Sequence, residues 1–209
     1  MIGGVAERLK VALSKSVVRA IAPWVRIPPL LHINMKITIF GLAGSGTSTV
    51  GKQFATDLGY TYVSSGDMMR AKAKEQGLTL EQYHELCMAD SKYDCELDDE
   101  LKKFGEENNN FVVESRLAWH FIPDSIKIKL VTDFKVRVKR LAERDGLSFK
   151  DAEKHVIARE KTDDSRYKKF YGIENINDGN HYDFVVETST ITPEQIVKQI
   201  ISFINKNQS

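Results

Sequence analysis

Cysteine is nearly missing from this chain: Cys87 and Cys95 are the only two in 209 residues. Two thiols cannot staple a disulfide scaffold, so the expected setting is a reducing compartment, the cytoplasm. Long apolar runs are missing as well. No stretch approaches the ~18 unbroken apolar residues of a helical membrane span, which sets a membrane partner aside. Neither sign of charge dominates: 30 Lys and Arg stand against 29 Asp and Glu. That balance gives no case for a nucleic-acid partner. Repeats and low-complexity tracts are absent too. What is there is 42% hydrophobic and 28% charged, the make-up of one globular domain, alone or with a small insertion. A monomer is expected over an oligomer.

The even charge hides a break. Residues 1–34 carry five basic residues and one acid, leaving 25 basic and 28 acidic residues in the remainder. Three of the five prolines (Pro23, Pro28, Pro29) also fall there. A basic transit peptide and a disordered arm are two readings of such a segment. The genetic code gives a third. Trp24-Val25-Arg26-Ile27-Pro28 can be encoded as TGG GTT CGA ATC CC, which contains the TΨC arm of transfer RNA genes. Ala6 to Lys10 and Leu13 to Ser16 can encode a serine-type D arm and anticodon loop, in the same order and frame. Residues 1–34 are therefore expected to be a non-native extension from a mis-called start, with the domain running from 35 to 209.

Beyond Met35, apolar strands alternate with helical stretches. Strands are expected at Lys36 to Phe40, Tyr60 to Val63, Phe111 to Glu114, Ile126 to Val131 and Asp183 to Glu187. Helices are expected from Thr49 to Leu58, along a polar stretch from Asp67 to about Leu101 interrupted at Gly77, and from Lys135 to Arg144 and Phe149 to Arg166. A last helix opens at Pro193, with Ile196, Ile200 and Phe203 as its buried stripe. This alternation predicts an α/β fold around a parallel sheet.

Chemistry concentrates after the first strand. Gly41-Leu42-Ala43-Gly44-Ser45-Gly46-Thr47-Ser48-Thr49 lies between a predicted strand and a predicted helix, the context of a phosphate-binding loop. Its backbone N–H groups can wrap the polyphosphate of ATP, helped by the helix N-terminus. Ser48 holds the place of the hydroxyl that ligates Mg²⁺. The standard pattern has a lysine where this chain has Thr47, and losing one such charge costs about 10²–10³ in rate unless another replaces it. Lys52, one turn on, is expected to point away; arginines downstream are the better candidates. A Gly/Ser-rich turn that binds nothing is the bland alternative.

Two further segments follow strands. Ser64-Ser65-Gly66-Asp67-Met68-Met69-Arg70 resembles the nucleoside monophosphate kinase segment whose arginine holds the acceptor phosphate. Glu114-Ser115-Arg116 stands where those kinases have an acid near Mg²⁺ and a second acceptor arginine. With YDCELDDE (93–100), ESRLAW (114–119), RLAERDGLS (140–148), REKTDDSRYKKFYGI (159–173) and YDFVVETS (182–189), the chain from 35 onward resembles the archaeal-type cytidylate kinases.

That resemblance implies a P-loop kinase: a three-layer α/β/α fold on a five-stranded parallel sheet, with a helical acceptor-binding region near 64–105 and a helical lid near 140–172. It implies transfer of the ATP γ-phosphoryl group to CMP and dCMP. Ser65, Arg70, Asp94 and Arg116 would bind the acceptor, and Arg140, Arg144, Arg159 and Arg166 would serve in the lid. Glu114 would act on Mg²⁺ through water. Threonine in place of the lysine also occurs in this family; Ser115 departs from its usual glycine, and Trp119-His120 from its usual tail.

Each assignment has a plainer alternative. The helix arginines can be a solvated face, which is the expectation for Arg137. Asp94, Asp98 and Asp99 can read the cytosine amino group or be the wet side of a helix. His84 and His120 lack metal-ligand spacing and are expected to be structural or exposed. Trp119 is expected to pack rather than stack on a base. UMP or AMP as acceptor, a different small-molecule kinase, and a non-catalytic nucleotide binder remain open alternatives.

Overall fold

The computed structural model describes residues 34–89 and 91–207. The expected extension, Asn34 apart, lies outside them, as does the side chain of Asp94. Among the described residues five strands form one sheet in the order β2-β3-β1-β4-β5. They are β1 (Lys36–Gly41), β2 (Thr61–Ser64), β3 (Phe111–Glu114), β4 (Ile126–Val131) and β5 (Phe184–Glu187), and every pairing is parallel. The β-branched run of β1 suits the central place, where both faces are covered. Ile37 and Ile39 face one layer, packing with Val50, Phe54 and Leu58 of α1 (Thr47–Leu58) and with Ile196, Val197, Ile200 and Ile204 near the chain's end. Phe40 faces the other, against Leu117, Tyr167, Ile173 and Tyr182.

The chain leaves β1 toward β2 on one side and later returns to β4 on the other. Strand order therefore reverses beside the C-terminal end of β1, where open α/β sheets bind ligands. The expected strands all form. The first helix differs from expectation by beginning at Thr47: Gly46 takes the left-handed conformation (φ 88°) at its N-cap, with no side chain capping it. The helix thus points uncapped N–H groups at the loop.

The polar stretch after β2 becomes three helices: α2 (Ser65–Glu75), α3 (Leu80–Ala89) and α4 (Ser91–Glu107). Gly77, with φ 69°, turns the chain between the first two. Ala73, Tyr83, Cys87 and Leu97 give this region a small core of its own. After the short α5 (Ala118–Phe121) come α6 (Phe134–Asp145), capped by Asp133, and α7 (Phe149–Tyr171), capped by Ser148. They pack together through Val138, Leu141, Ala142, Ala152 and Val156. In α8 (Pro193–Asn207) the buried stripe ends on Ile204 rather than Phe203, which is half-buried and stacks on Phe184. No helix of the described residues is long and apolar enough to cross a membrane.

Candidate active site

The loop from Gly41 to Thr49 needs its glycines for different reasons. Gly44 and Gly46 have φ of 84° and 88°, where side chains are strained. A Cβ on Gly44 would also lie 2.6 Å from the Arg137 carbonyl oxygen, so α6 is pressed against the loop. A Cβ on Gly41 would meet the buried Ser45 hydroxyl at 2.2 Å. The loop walls a cleft of about 440 Å³, reached by all its members except Ser45. Ser65, Arg70, Glu114, Arg116, Arg140, Arg144, Arg159 and Arg166 line the same cleft. The site residues singled out in the sequence thus converge on one cleft, Ser45 and Asp94 apart.

Glu114, ending β3, gathers hydroxyls. Thr47 donates to its Oε1 at 2.5 Å, Ser48 lies 2.9 Å from both oxygens, and the Tyr62 phenol donates to Oε2 at 2.5 Å. Burial first, and then the Glu114 carboxylate, push the Tyr62 pKa up, so the phenol keeps the proton it donates. Thr47 is thus tied to Glu114 and carries no charge to the loop. Lys52 is exposed, its ammonium 5.6 Å from the Tyr62 ring centre. Tyr62 also explains Gly51, where a Cβ would stand 2.8 Å from its ring.

Arg140 brings a charge to the loop from the cleft. Its guanidinium donates to the Gly44 carbonyl at 3.3 Å and to the Thr188 carbonyl at 3.0 Å. Arg144 lines the cleft but pairs with its neighbour Asp145 through two bonds of 2.7 and 2.8 Å. Arg137 corrects the expectation of a solvated face. It is buried, donates to the Ala43 carbonyl at 3.2 Å and to Glu160 at 2.6 Å, and so braces the loop from behind.

Part of the cleft wall is cationic. Arg116, on the strand side, and Arg159 and Arg166, on α7, converge on the carboxylate of Asp163. Sequence reasoning missed Asp163, one acid among many charges on a long helix. Burial, then the like charges of Arg116, Arg144 and Arg166, lower the Arg159 pKa to about 10, with Tyr167 acting the other way. Arg70 stands apart, half exposed, paired with Asp67 at 2.5 Å. Asp98 lines the cleft and accepts from the Tyr171 hydroxyl, while Asp99 is exposed. Ser115 is accommodated without strain: among the described non-glycine residues only Asn110 has positive φ. Its hydroxyl accepts the Leu117 N–H at 3.3 Å. Trp119 packs, stacking on His181 at 4.0 Å.

His84 is half-buried and lines the cleft. Burial, then Arg159, Arg166 and Arg116, push its pKa down to about 4 from 6.5. Between those values the unfolded chain binds a proton that the folded chain refuses. Stability is therefore expected to fall as pH drops from 6.5 toward 4. Urea midpoints measured across that window should fall less steeply in His84→Gln than in wild type.

A phosphate-binding loop at the switch point of a parallel sheet, faced by arginines, defines a P-loop kinase. Residues 36–190 match the cytidylate kinase-like family, and the chain belongs to it. The cytidylate kinase of Methanococcoides burtonii is 37% identical over 155 residues, 74% of this chain and 88% of its own length. That of Pyrococcus horikoshii is 37% identical over 173 residues, 81% of this chain and 89% of its own. Among solved structures, an uncharacterized protein from Eubacterium ventriosum aligns with TM-score 0.61 at 24% identity, covering 82% of this chain and 98% of its own. A shikimate kinase from Acinetobacter baumannii in complex with shikimate aligns with TM-score 0.59 at 18% identity, covering 85% and 97%. These two likenesses carry the fold alone.

Proposed function

We propose that this cleft is where ATP and CMP meet. The chain is a cytidylate kinase: it moves the γ-phosphoryl group of ATP to CMP, giving ADP and CDP. We assign dCMP as a second acceptor. The observation that carries the site assignment is the convergence, in one cleft, of the glycine loop with Arg116, Arg159 and Arg166.

Phosphoryl transfer asks for positioning and charge neutralisation more than covalent help. An oxygen of the acceptor phosphate attacks the γ-phosphorus, and the bond to the β,γ-bridging oxygen breaks with its electron pair leaving on ADP. The acceptor phosphate is already ionised, so no general base is required. The loop N–H groups hold the ATP phosphates, and Arg140 adds the cation that Thr47 does not supply. Arg70 and Arg116 hold the acceptor phosphate, while Arg144, Arg159 and Arg166 spread the charge that develops between them. Ser65, which opens α2 and lines the cleft, is assigned to the acceptor. Asp94 is retained as an acceptor contact from sequence alone.

The oxygens of Ser48 and Glu114, 2.9 Å apart, suit a hard cation held mainly by nucleotide phosphates and water. Mg²⁺ would neutralise charge on the β- and γ-phosphates. We take the enzyme to work as a cytoplasmic monomer.

The test is ADP release by the full chain with ATP and Mg²⁺, offering CMP, dCMP, UMP, AMP and GMP in turn. Turnover is expected with CMP and dCMP and is expected to stop on chelation of Mg²⁺. Turnover confined to UMP or AMP would keep the phosphate sites and move the acceptor. ATP binding without turnover would overturn the catalytic reading.

A further inference from the structure

Asp163 has no role in the mechanism above, yet its carboxylate stands where that mechanism puts the acceptor phosphate. Its side chain is 13% exposed. It meets Arg116 directly, Arg166 at 3.6 Å and Arg159 at 3.9 Å. Arg116 belongs to the strand side of the cleft and the other two to α7, so one carboxylate joins the two walls. Guanidinium groups gathered this closely repel one another, and the Arg159 pKa is lowered first by burial and then by its neighbouring arginines. Carboxylate and phosphate oxygens suit the same guanidinium fork.

We infer that Asp163 is a built-in counter-ion of the acceptor-phosphate seat, competing with the incoming phosphate for the guanidinium N–H groups of Arg116 and, in the empty site, balancing the neighbouring charges of Arg159 and Arg166. The inference rests on the assignment of that seat. A phosphate dianion brings two charges against the carboxylate's one and displaces it, at an affinity reduced by the pairs it breaks. The same competition works on the way out: the returning carboxylate helps expel CDP. Asp163 is a positioning residue in this scheme, acting through the arginines.

Asp163→Asn keeps the shape and removes the charge. Calorimetry on the full-length wild type and variant uses three probes: inorganic phosphate, CMP and cytidine. The variant is expected to bind phosphate and CMP about tenfold more tightly and cytidine equally well. Its kcat should not rise, since tighter product binding slows release. In phosphate-free buffer it should melt below wild type, and added phosphate should raise its melting temperature by more than it raises that of wild type. A merely structural role predicts weaker binding all round. Unchanged or weaker phosphate binding overturns the counter-ion; weaker cytidine binding overturns it too, moving Asp163 to the nucleoside. Asp163→Ser makes the same comparison if the Asn variant does not fold. Arg116→Ala tests the seat separately: CMP binding unchanged there would remove the seat itself, whatever the Asp163 variants do.

Discussion

Arg116→Ala is expected to lower kcat/KM for CMP about 10³-fold, within the range for truncating one partner of a buried charge pair. Arg116 is suited to the part because it is held from two directions. The residue before it extends the strand ladder, Ser115 N–H donating to the Ile39 carbonyl at 3.3 Å. The residue after it, Leu117, is buried against Phe40 and Tyr167. The guanidinium is therefore placed by the sheet, while Arg159 and Arg166 arrive on a helix. The loss should fall chiefly on the KM for CMP, leaving that for ATP within about threefold, since the loop is untouched. Arg116→Lys should recover little, because an ammonium cannot form the planar two-pronged contact. Initial rates with CMP varied at saturating ATP check both variants. An unchanged KM for CMP would move the acceptor phosphate elsewhere, toward exposed Arg70.

Much of this arrangement is written locally. A β-branched strand, three spaced glycines and a helix with Val50, Phe54 and Leu58 on one side are patterns a few residues long, and each folds as its pattern implies. What the sequence withholds is which way a charged residue turns. Arg137 and Arg140 are one turn apart on α6 and look equivalent as letters. The fold separates them by laying α6 under the loop, so that Arg137 is buried against Ala43 and Glu160 while Arg140 reaches Gly44 from the cleft side. Asp163 was hidden in the same way among the charges of α7; only the approach of that helix to the end of β3 selects it. Tyr62 looked like a strand aromatic. Register makes it more, because pairing Ser64 with Glu114 brings the tyrosine hydroxyl within reach of the carboxylate. Long-range pairing decides all three, and periodicity carries no information about it.

The missing lysine sets the second large expectation. Arg140→Ala should reduce kcat about 10²–10³-fold, the usual cost of removing one preorganised donor from a developing charge. Neither nearby residue supplies the lysine's charge: Thr47 is neutral and bound to Glu114, and exposed Lys52 has its ammonium 5.6 Å from the Tyr62 ring centre. Arg140 instead reaches the loop from a different element, its guanidinium fixed by the Gly44 and Thr188 carbonyls at 3.3 and 3.0 Å. Those two bonds hold the side chain in place, so its charge needs little reorganisation when the phosphates arrive. With its proposed place on the donor side, the KM for CMP should stay within about threefold, the opposite split from Arg116→Ala. Arg140→Lys should recover much of the rate, since a point charge beside a phosphate can still serve there. Lost tethers could also loosen the loop, so kcat is to be measured well below the melting temperature, beside an ATP titration. A loss confined to ATP affinity would make Arg140 a clamp on the loop. A loss in kcat with ATP affinity kept would make it the charge that the loop itself does not carry.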